Sequence, residues 1–429
     1  MQQPENMKNY FRAWALVVAL GLTPALAFGN GLRLASQDGF ASARGEAFVA
    51  TADNPSAIYY NPAGITQIAG NSLRSGLYGI YLDPTFQPPA TQPNAGQTYG
   101  IGKHFDFIPQ VFLTHAFENS PLSAGLGIYA PFGGSISWPA DTGFRTVATK
   151  GTTTYLRVNP VAAIQLPGGF SLGAGLSANY ARIDLEQGLE PLTLLENYFR
   201  FTGDGWAVGG NAGLLWKPCG SLSFGATFRS QTAFTLKGET AFADQPYISD
   251  TTLPAHADFE FPWDIAFGIS LRPSPKWNLE FDADYTDWSS FGVVTIHQGS
   301  TPPFPLNQSK DLPVKLNWQG SWMYEFGVTR YFNGGWHVSA GYVFNQNSVP
   351  NAYYSPLAAD MDRHFFSIGT GRTGKRFDFD IAYQFGYGPD HMVSGSQPSS
   401  TPAFFANQSA DGTYHFISHA VLVTAGLHF

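Results

Sequence analysis

The feature that most constrains the fold is a period of two in side-chain polarity, which persists over long segments of the chain. In residues 276–291 one face carries Trp277, Leu279, Phe281, Ala283 and Tyr285, and the other carries Asn278, Glu280, Asp282 and Asp284. Successive side chains of a β-strand point to opposite sides, so each such segment predicts a strand with one apolar face. Most segments are about twice as long as the roughly 5–6 residues usual in soluble sheets, which is enough for a tilted membrane crossing.

The pattern predicts fourteen strands, at about residues 71–83, 105–118, 121–130, 152–167, 169–185, 203–218, 220–237, 258–272, 276–291, 315–331, 335–348, 362–372, 375–388 and 413–429. Short turns alternate with long connections at 84–104, 131–151, 186–202, 238–257, 292–314, 349–361 and 389–412. Even strand numbers, short turns at one end and long loops at the other are typical of bacterial outer-membrane barrels. We therefore predict an all-β fold, a fourteen-stranded antiparallel transmembrane β-barrel over residues 71–429.

The composition agrees with a barrel and argues against other classes of protein. Charged residues make up 13% of the chain, about half the roughly 25% of an average soluble protein. The mean hydropathy of -0.11 argues against a bundle of membrane helices, and the net charge of -8 argues against a nucleic-acid partner. A single cysteine excludes a disulfide framework, and the ten histidines lie at no metal-ligand spacing. We predict no cofactor, no metal and no enzymatic activity.

The N-terminus has the order of features of a cleavable signal peptide. Lys8 and Arg12 precede an apolar run over residues 13–22, and Ala25-Leu26-Ala27 provides a small-residue cleavage site. The alternative, a transmembrane anchor, is disfavoured because the run is well short of the roughly 20 residues that a spanning helix needs. We predict that residues 1–27 direct export and that the mature chain resides in the bacterial outer membrane, among lipid and lipopolysaccharide.

Residues 28–70 do not alternate and contain two Asn-Pro steps, Asn54-Pro55 and Asn61-Pro62. The residue before a proline avoids the helical region, so both steps predict turns. A barrel of this size encloses more space than its own side chains fill. We therefore predict a small N-terminal hatch (plug) domain inside the barrel, with a disordered periplasmic leader as the alternative.

Four local features carry a resemblance to a known family: Ala52-Asp53-Asn54-Pro55 with Asn61-Pro62-Ala63-Gly64, residues 125–133, residues 203–230 and the terminal Phe429. Their order resembles that of the FadL family of outer-membrane transporters for long-chain fatty acids and aromatic hydrocarbons. The resemblance implies a fourteen-stranded barrel closed by a hatch, passive uptake of a hydrophobic small molecule, and a monomer. The terminal Phe429 resembles the signal by which the barrel assembly machinery recognises its substrates.

Three sets of residues are candidates for transport. The first is an external capture patch in the predicted loop 186–202, where apolar residues recur at helical spacing, with a further aromatic residue in the next long loop. Its members are Leu189, Leu192, Leu195, Tyr198, Phe199, Phe201 and Phe242. The alternative is a loop helix that merely caps the barrel mouth.

The second set consists of polar candidates for a ligand pocket: Tyr155, Arg157 and Lys315, which we predict to face the lumen near the external ends of their strands. A buried carboxylate head group needs a cation beside it, and the resemblance implies basic residues in such places. The alternative is that Arg157 and Lys315 pair with lumenal acids such as Glu325 or Asp284, in which case a neutral hydrocarbon is the better ligand.

The third set is a hatch and lateral gate formed by Asn61, Pro62, Ala63, Gly64, Gly125 and Gly127. Glycine within a strand weakens pairing and favours a bulge. The resemblance implies that a kink in the third strand lets the ligand leave sideways into lipid. Bulky residues at positions 125 and 127 are expected to block uptake while the barrel still assembles.

Two further classes of outer-membrane barrel remain as alternatives at this stage. A general diffusion porin predicts an open polar pore, and a surface adhesin or phage receptor predicts loops that bind proteins.

Overall fold

The computed structural model describes residues 31–102, 104–189, 195–244, 249–302, 309–397 and 408–429. The proposed signal peptide lies outside these residues. Within the described ranges no helix is both long enough and apolar enough to cross a membrane.

The chain forms a closed antiparallel barrel of fourteen strands, which confirms the predicted fold. The strands are β1 Asn71–Leu82, β2 His104–Ala116, β3 Leu122–Tyr129 and Gly133–Ser137, β4 Lys150–Leu166, β5 Phe170–Gly188, β6 Tyr198–Cys219, β7 Leu222–Arg229 and Thr232–Ala243, β8 Thr251–Phe261 and Asp264–Ser274, β9 Trp277–Thr286 and Val293–Gln298, β10 Asp311–Lys315 and Ser321–Tyr331, β11 Trp336–Asn345, β12 Arg363–Arg372, β13 Phe377–Val393 and β14 Gly412–His428. The barrel closes where β1 pairs with β14, and Asn71 and Phe429 exchange two backbone hydrogen bonds of 3.1 and 3.0 Å.

The strands are longer at the looped end than the sequence predicts. β5 has 19 residues and β6 has 22, so residues 186–188 and 198–202 of the predicted loop 186–202 are strand. The predicted loops 131–151 and 238–257 likewise contain strand segments, Gly133–Ser137 in the first and the facing ends of β7 and β8 in the second. The alternation of short turns and longer connections persists, and short turns of such barrels face the periplasm.

The outer wall is apolar and the lumen is polar, as expected for strands with lipid on one side. Leu176, Trp206 and Val208 are among the most exposed apolar side chains, at 72%, 66% and 76%. Strand β9 turns polar side chains such as Asn278 and Asp282 into the lumen, where both are fully buried.

The lumen is filled by residues 31–70, which we call the hatch. Its helical parts are α1 Gly39–Ala43, α2 Ala57–Tyr60 and a 3-10 helix over Pro62–Gln67. Asp38 caps α1 by accepting from the amides of Phe40 and Ala41. The 3-10 helix is capped by Asn61, which accepts from the amide of Ala63.

Wall glycines let the hatch backbone lie directly against the barrel. A Cβ atom at Gly341 of β11 would lie 2.1 Å from the carbonyl carbon of Arg44, and one at Gly225 of β7 would lie 2.2 Å from the carbonyl oxygen of Val49. A Cβ at Gly173 of β5 would lie 2.4 Å from the carbonyl carbon of Pro62. These contacts seat the hatch against three separate parts of the wall.

Candidate functional site: a lumenal cavity and a gap in the wall

An apolar cavity lies at the looped end of the lumen, with Leu32 at the start of the hatch among its lining residues. The cavity has a volume of about 140 Å³. This is more than a single water molecule needs, so several atoms of a ligand fit. The apolar lining consists of Leu32, Val147, Ile183, Leu185, Phe199, Phe259, Phe291, Val294, Ile296, Val314, Leu316, Trp318, Tyr354, Leu357 and Ala358.

Three lining residues carry buried polar atoms that lack partners among the described residues: the half-buried Gln187, through its Nε2, and the buried Trp318 and Tyr354. Trp318 is 5% exposed and Tyr354 is 2% exposed, and neither the Trp318 Nε1 nor the Tyr354 Oη has a hydrogen-bond partner in the described part of the chain. Burial raises the pKa of the Tyr354 hydroxyl well above its ordinary value, so this group remains a neutral donor. The sequence analysis missed all three residues.

The structure separates the three predicted polar candidates. Lys315 borders the cavity but is exposed. It ends the first segment of β10, whereas the sequence predicts that it begins a strand. The lumen side of that segment carries Leu312 and Val314. Arg157 and Tyr155 are buried at 3% and 2% exposure and are not among the residues that line the cavity. Strand β10 is interrupted after Lys315, which explains the error in the prediction.

Arg157 is held by neutral groups. Its Nε donates to Asn179 Oδ1 at 2.7 Å and its Nη2 donates to Tyr155 Oη at 3.2 Å. No carboxylate lies within ion-pair distance of it in the described ranges, and the same holds for Lys315. The predicted acid partners belong elsewhere, since Asp284 holds Arg33 of the hatch in a bidentate pair at 2.6 and 2.5 Å.

The predicted capture patch is mostly buried inside the barrel, not displayed on an external loop. Exposed fractions are 2% for Leu189, 5% for Phe199, 0% for Phe201 and 2% for Phe242. Tyr198, Phe199 and Phe201 lie on β6, so the helical spacing was a misleading signal and the alternation of Phe199 and Phe201 is that of a strand. Leu195 is exposed at 52%, and Leu192 lies outside the described residues.

A gap opens in the wall between β2 and β3. These strands pair only from Val111–Ala116 to Ser123–Ile128. Beyond this ladder, and among the described residues, the first half of β2 pairs with β1 alone and the Gly133–Ser137 segment of β3 pairs with β4 alone. Pro109, which has no N–H to donate, lies on β2 two residues before Val111, the last residue of this ladder.

The hatch occupies the inner side of this gap. Leu34 donates its amide to the carbonyl of Pro131 at 2.8 Å, and Gly133 donates to the carbonyl of Leu32 at 2.9 Å. Gln37 Nε2 donates to the carbonyl of Ala130 at 2.9 Å. The backbone that β3 turns away from β2 is therefore satisfied by the hatch.

Phe132 holds the interrupted β3 inward and connects the gap to the cavity. Its ring lies 5.3 Å from Tyr155 and 5.9 Å from Trp288, measured between centroids. Trp288 in turn lies 5.2 Å from Trp318 of the cavity lining. A continuous row of aromatic side chains thus runs from the cavity to the break in the wall.

The interruption does not lie where the sequence analysis placed it. Gly125 and Gly127 are paired on both sides, with β2 and with β4, and the break follows them at residues 130–132. A Cβ atom at either glycine would lie within 2.9 Å of Ile58 of the hatch, so these positions make room for a hatch side chain.

The hatch residues predicted for the gate pack at a different part of the wall. Asn61 donates from Nδ2 to the carbonyls of Val49 and Leu214 at 2.8 and 3.0 Å, which ties the hatch to β6. Pro62 lies against Gly173 and Gly213, and a Cβ at Gly64 would lie 2.2 Å from the carbonyl oxygen of Ala52. Ala63 is fully buried between these neighbours.

Buried acidic side chains of β9 bind the hatch. Glu280 accepts from the amides of Ala50 and Thr51 at 2.7 and 3.1 Å and pairs with Arg44 at 3.1 Å. Asp282 accepts from the amides of Phe48 and Val49, both at 2.8 Å.

A second set of ion pairs between the hatch and the wall uses Arg74 of β1, which pairs with the hatch residue Asp38 and with Asp380 of β13.

Glu46 is a buried carboxyl within the hatch. Burial raises its pKa above the ordinary value, and hydrogen bonds from Tyr60 and Ser36 oppose this rise.

The described residues offer little to catalysis. No three His, Cys, Asp or Glu side chains among them are placed to hold a metal ion. Residues 169–173 match the Gly-x-Ser-x-Gly pattern of esterases, but their serine, Ser171, lies on β5 and hydrogen bonds Thr66 of the hatch at 2.9 Å. The strand-to-helix turn that this motif needs is not present there.

A closed barrel with an apolar outer wall, a seated hatch and a side gap defines an outer-membrane transport barrel. The chain belongs to the family described as outer membrane protein transport protein (OMPP1/FadL/TodX), whose model matches residues 18–427. This assignment makes the protein an outer-membrane transporter and not an enzyme, as the sequence predicts.

Individual relatives are distant in sequence. The chain is 24% identical over 408 residues to the long-chain fatty acid transport protein of Salmonella typhi, covering 85% of this chain and 89% of that one. Among solved structures, a FadL homologue from Pseudomonas aeruginosa superposes with a TM-score of 0.80 at 18% identity, over 93% of this chain and 100% of the other. The toluene transporter TbuX of Ralstonia pickettii gives a TM-score of 0.67 at 17% identity, over 91% and 98%.

Proposed function

We propose that this barrel takes up hydrophobic small molecules, long-chain fatty acids or aromatic hydrocarbons, by passive diffusion. The apolar cavity at the looped end receives the ligand, and burial of its apolar surface supplies the binding energy. No covalent step or energy source is needed. The relatives named above for fatty acids and for toluene support both substrate classes.

The ligand leaves sideways through the gap between β2 and β3. The observation that carries this proposal is the row Trp318, Trp288 and Phe132, which offers an apolar surface from the cavity to the break at residues 130–132. A path straight through the barrel would instead have to displace the hatch from the buried ion pairs that hold it to β9 and β1. Sideways release also delivers an apolar molecule into lipid without exposing it to water.

Several remaining assignments are part of the same proposal. Residues 1–27 act as the signal peptide, Phe429 takes part in recognition by the assembly machinery, and the chain acts as a monomer. Lys315, at the exposed edge of the cavity, is the cation of the predicted set that an incoming carboxylate meets first. Phe199 contributes to ligand contact as a wall residue of the cavity.

The route is tested by substituting Ala130→Trp at the break in β3. In cells that lack other transporters of this kind, this variant is expected to lower the initial uptake rate of radiolabelled oleic acid and toluene severalfold. The matched control is Ala124→Trp on the same strand, where the ladder with β2 and β4 is intact. Equal uptake by the two variants, at equal amounts of folded barrel, contradicts a lateral exit.

Bulky residues at Gly125 and Gly127 would act on the hatch and not on the gap in the wall. Those side chains would collide with Ile58, so loss of uptake would report an unseated hatch and not a closed exit.

A further inference from the structure

The cavity combines an apolar lining with three hydrogen-bond donors that have no partner in the described part of the chain. The atoms concerned are the Nε2 of the half-buried Gln187, the Trp318 Nε1 and the Tyr354 Oη, and all three side chains line the cavity. Trp318 and Tyr354 are the two that are buried as whole side chains. Buried polar groups are nearly always hydrogen-bonded, and leaving one unpaired is destabilising. Three such groups at one cavity therefore call for an explanation.

The neighbouring structure holds both donors in place. Tyr354 is packed between the rings of His391 and Tyr414, with centroid distances of 5.6 and 4.6 Å. Trp318 contacts Trp288 and Phe291 at 5.2 and 5.1 Å. Neither side chain has room to turn toward water without disturbing these contacts.

The cations predicted for head-group recognition do not serve the cavity interior. Arg157 is not among the lining residues, and Lys315 is exposed at the edge. The lining also includes Glu186, whose carboxyl group accepts from Thr149 Oγ1 at 3.1 Å. The buried lining donors that lack a partner in the described residues are all neutral.

We propose that the cavity selects hydrophobic molecules that carry a hydrogen-bond-accepting head group, and that Trp318 and Tyr354 recognise that group. The inference rests on the proposed uptake function and specifies its ligand class. A hydrocarbon without an acceptor leaves both donors unpaired, whereas a carbonyl, hydroxyl or carboxyl oxygen satisfies them. Sites built to hydrogen-bond a ligand discriminate strongly against analogues that lack the group.

The test uses two probes of nearly equal shape, acetophenone and α-methylstyrene, which differ by a carbonyl oxygen in place of a methylene carbon. Their dissociation constants are measured by calorimetry on the purified full barrel, for the natural sequence and for Tyr354→Phe and Trp318→Phe. Each substitution removes one donor and is expected to weaken acetophenone relative to α-methylstyrene by about 3- to 10-fold. Because both probes are neutral, Lys315 does not contribute to the ratio.

The matched control is Ile296→Ala, which shortens an apolar wall residue that is not one of the rings packed against either donor. It is expected to weaken both probes together and to leave their ratio unchanged. If the natural barrel binds both probes and neither donor substitution changes the ratio, the proposed recognition is wrong while uptake of hydrophobic molecules stands. If it binds neither probe and does not bind oleic acid either, the proposed function itself is contradicted.

Discussion

At the scale of single residues, the most consequential side chains are buried carboxylates that bind the hatch backbone. Glu280 and Asp282 point into the lumen from β9 and together accept from four consecutive hatch amides, those of residues 48–51. The sequence correctly places both acids on the lumen face, because alternation determines the side to which a strand residue points. It could not reveal their partners, since the hatch residues lie some 230 positions away in the chain.

Replacing Glu280 with alanine is expected to loosen the hatch without unfolding the barrel. The change leaves Arg44 buried without its carboxylate, at a cost of about 3–5 kcal/mol. Amide hydrogen exchange at residues 48–51 should then accelerate by roughly two to three orders of magnitude. The control Asp311→Ala removes an exposed acid far from the hatch, and unchanged exchange in both variants would count against the anchoring role.

The sequence reasoning was least reliable for apolar residues near the external strand ends. The sequence predicts an exposed patch that includes Phe199, Phe201 and Phe242, because apolar residues in external loops usually mark binding surfaces. Their strands extend further than the pattern suggested, so these side chains turn into the lumen. The strand pattern does not single out Trp318 or Tyr354. Trp318 lies within the predicted strand 315–331, but β10 is interrupted between Lys315 and Ser321 and Trp318 is buried there. Tyr354 lies in the predicted connection 349–361, where no strand period applies.

At the scale of elements, the decisive feature is the interruption of β3. Proline at position 131 is a visible signal, and the sequence places a wall defect in the correct strand. Its position was wrong, because the glycines at 125 and 127 accommodate Ile58 of the hatch while Phe132 is drawn inward by aromatic neighbours. A long-range contact thus decides which irregularity becomes the gap.

The packing of the hatch on wall glycines gives a second prediction at this scale. Gly341→Val places a side chain where the backbone of Arg44 and Gly45 lies, so the hatch must shift away from β11. We expect residues 39–50 to become accessible to protease added from the periplasmic side, while the barrel still resists heat in detergent. The control is Gly220→Val in a turn, where a Cβ atom meets nothing within 4 Å. Equal protease resistance of the two variants contradicts the close seating.

At the scale of the whole molecule, the hatch closes the barrel along its axis, and the wall has a gap between β2 and β3. Strand period and the alternation of connections were sufficient to predict the barrel, because both follow from the membrane setting and not from any single contact. The low charge content has the same origin, since the outer wall faces lipid.

A plugged lumen is expected to conduct ions poorly. The purified protein in a planar bilayer should give no steady open-pore current. The hatch occupies the lumen, and buried ion pairs hold it to the wall. A general porin of the same size serves as the positive control. A stable current that scales with voltage would instead favour the porin alternative.

The central claim is that a hydrophobic ligand enters the cavity and leaves through the wall between β2 and β3. It is tested most directly by photo-crosslinking the full barrel in membranes with a fatty acid that carries a diazirine along its chain, followed by mapping of the adducts. The account predicts adducts on cavity residues such as Phe291 and then on Trp288, Phe132 and Ala130 beside the gap. Adducts on Asp53 and Gln67, at the far side of the hatch, with none at the gap, would contradict it.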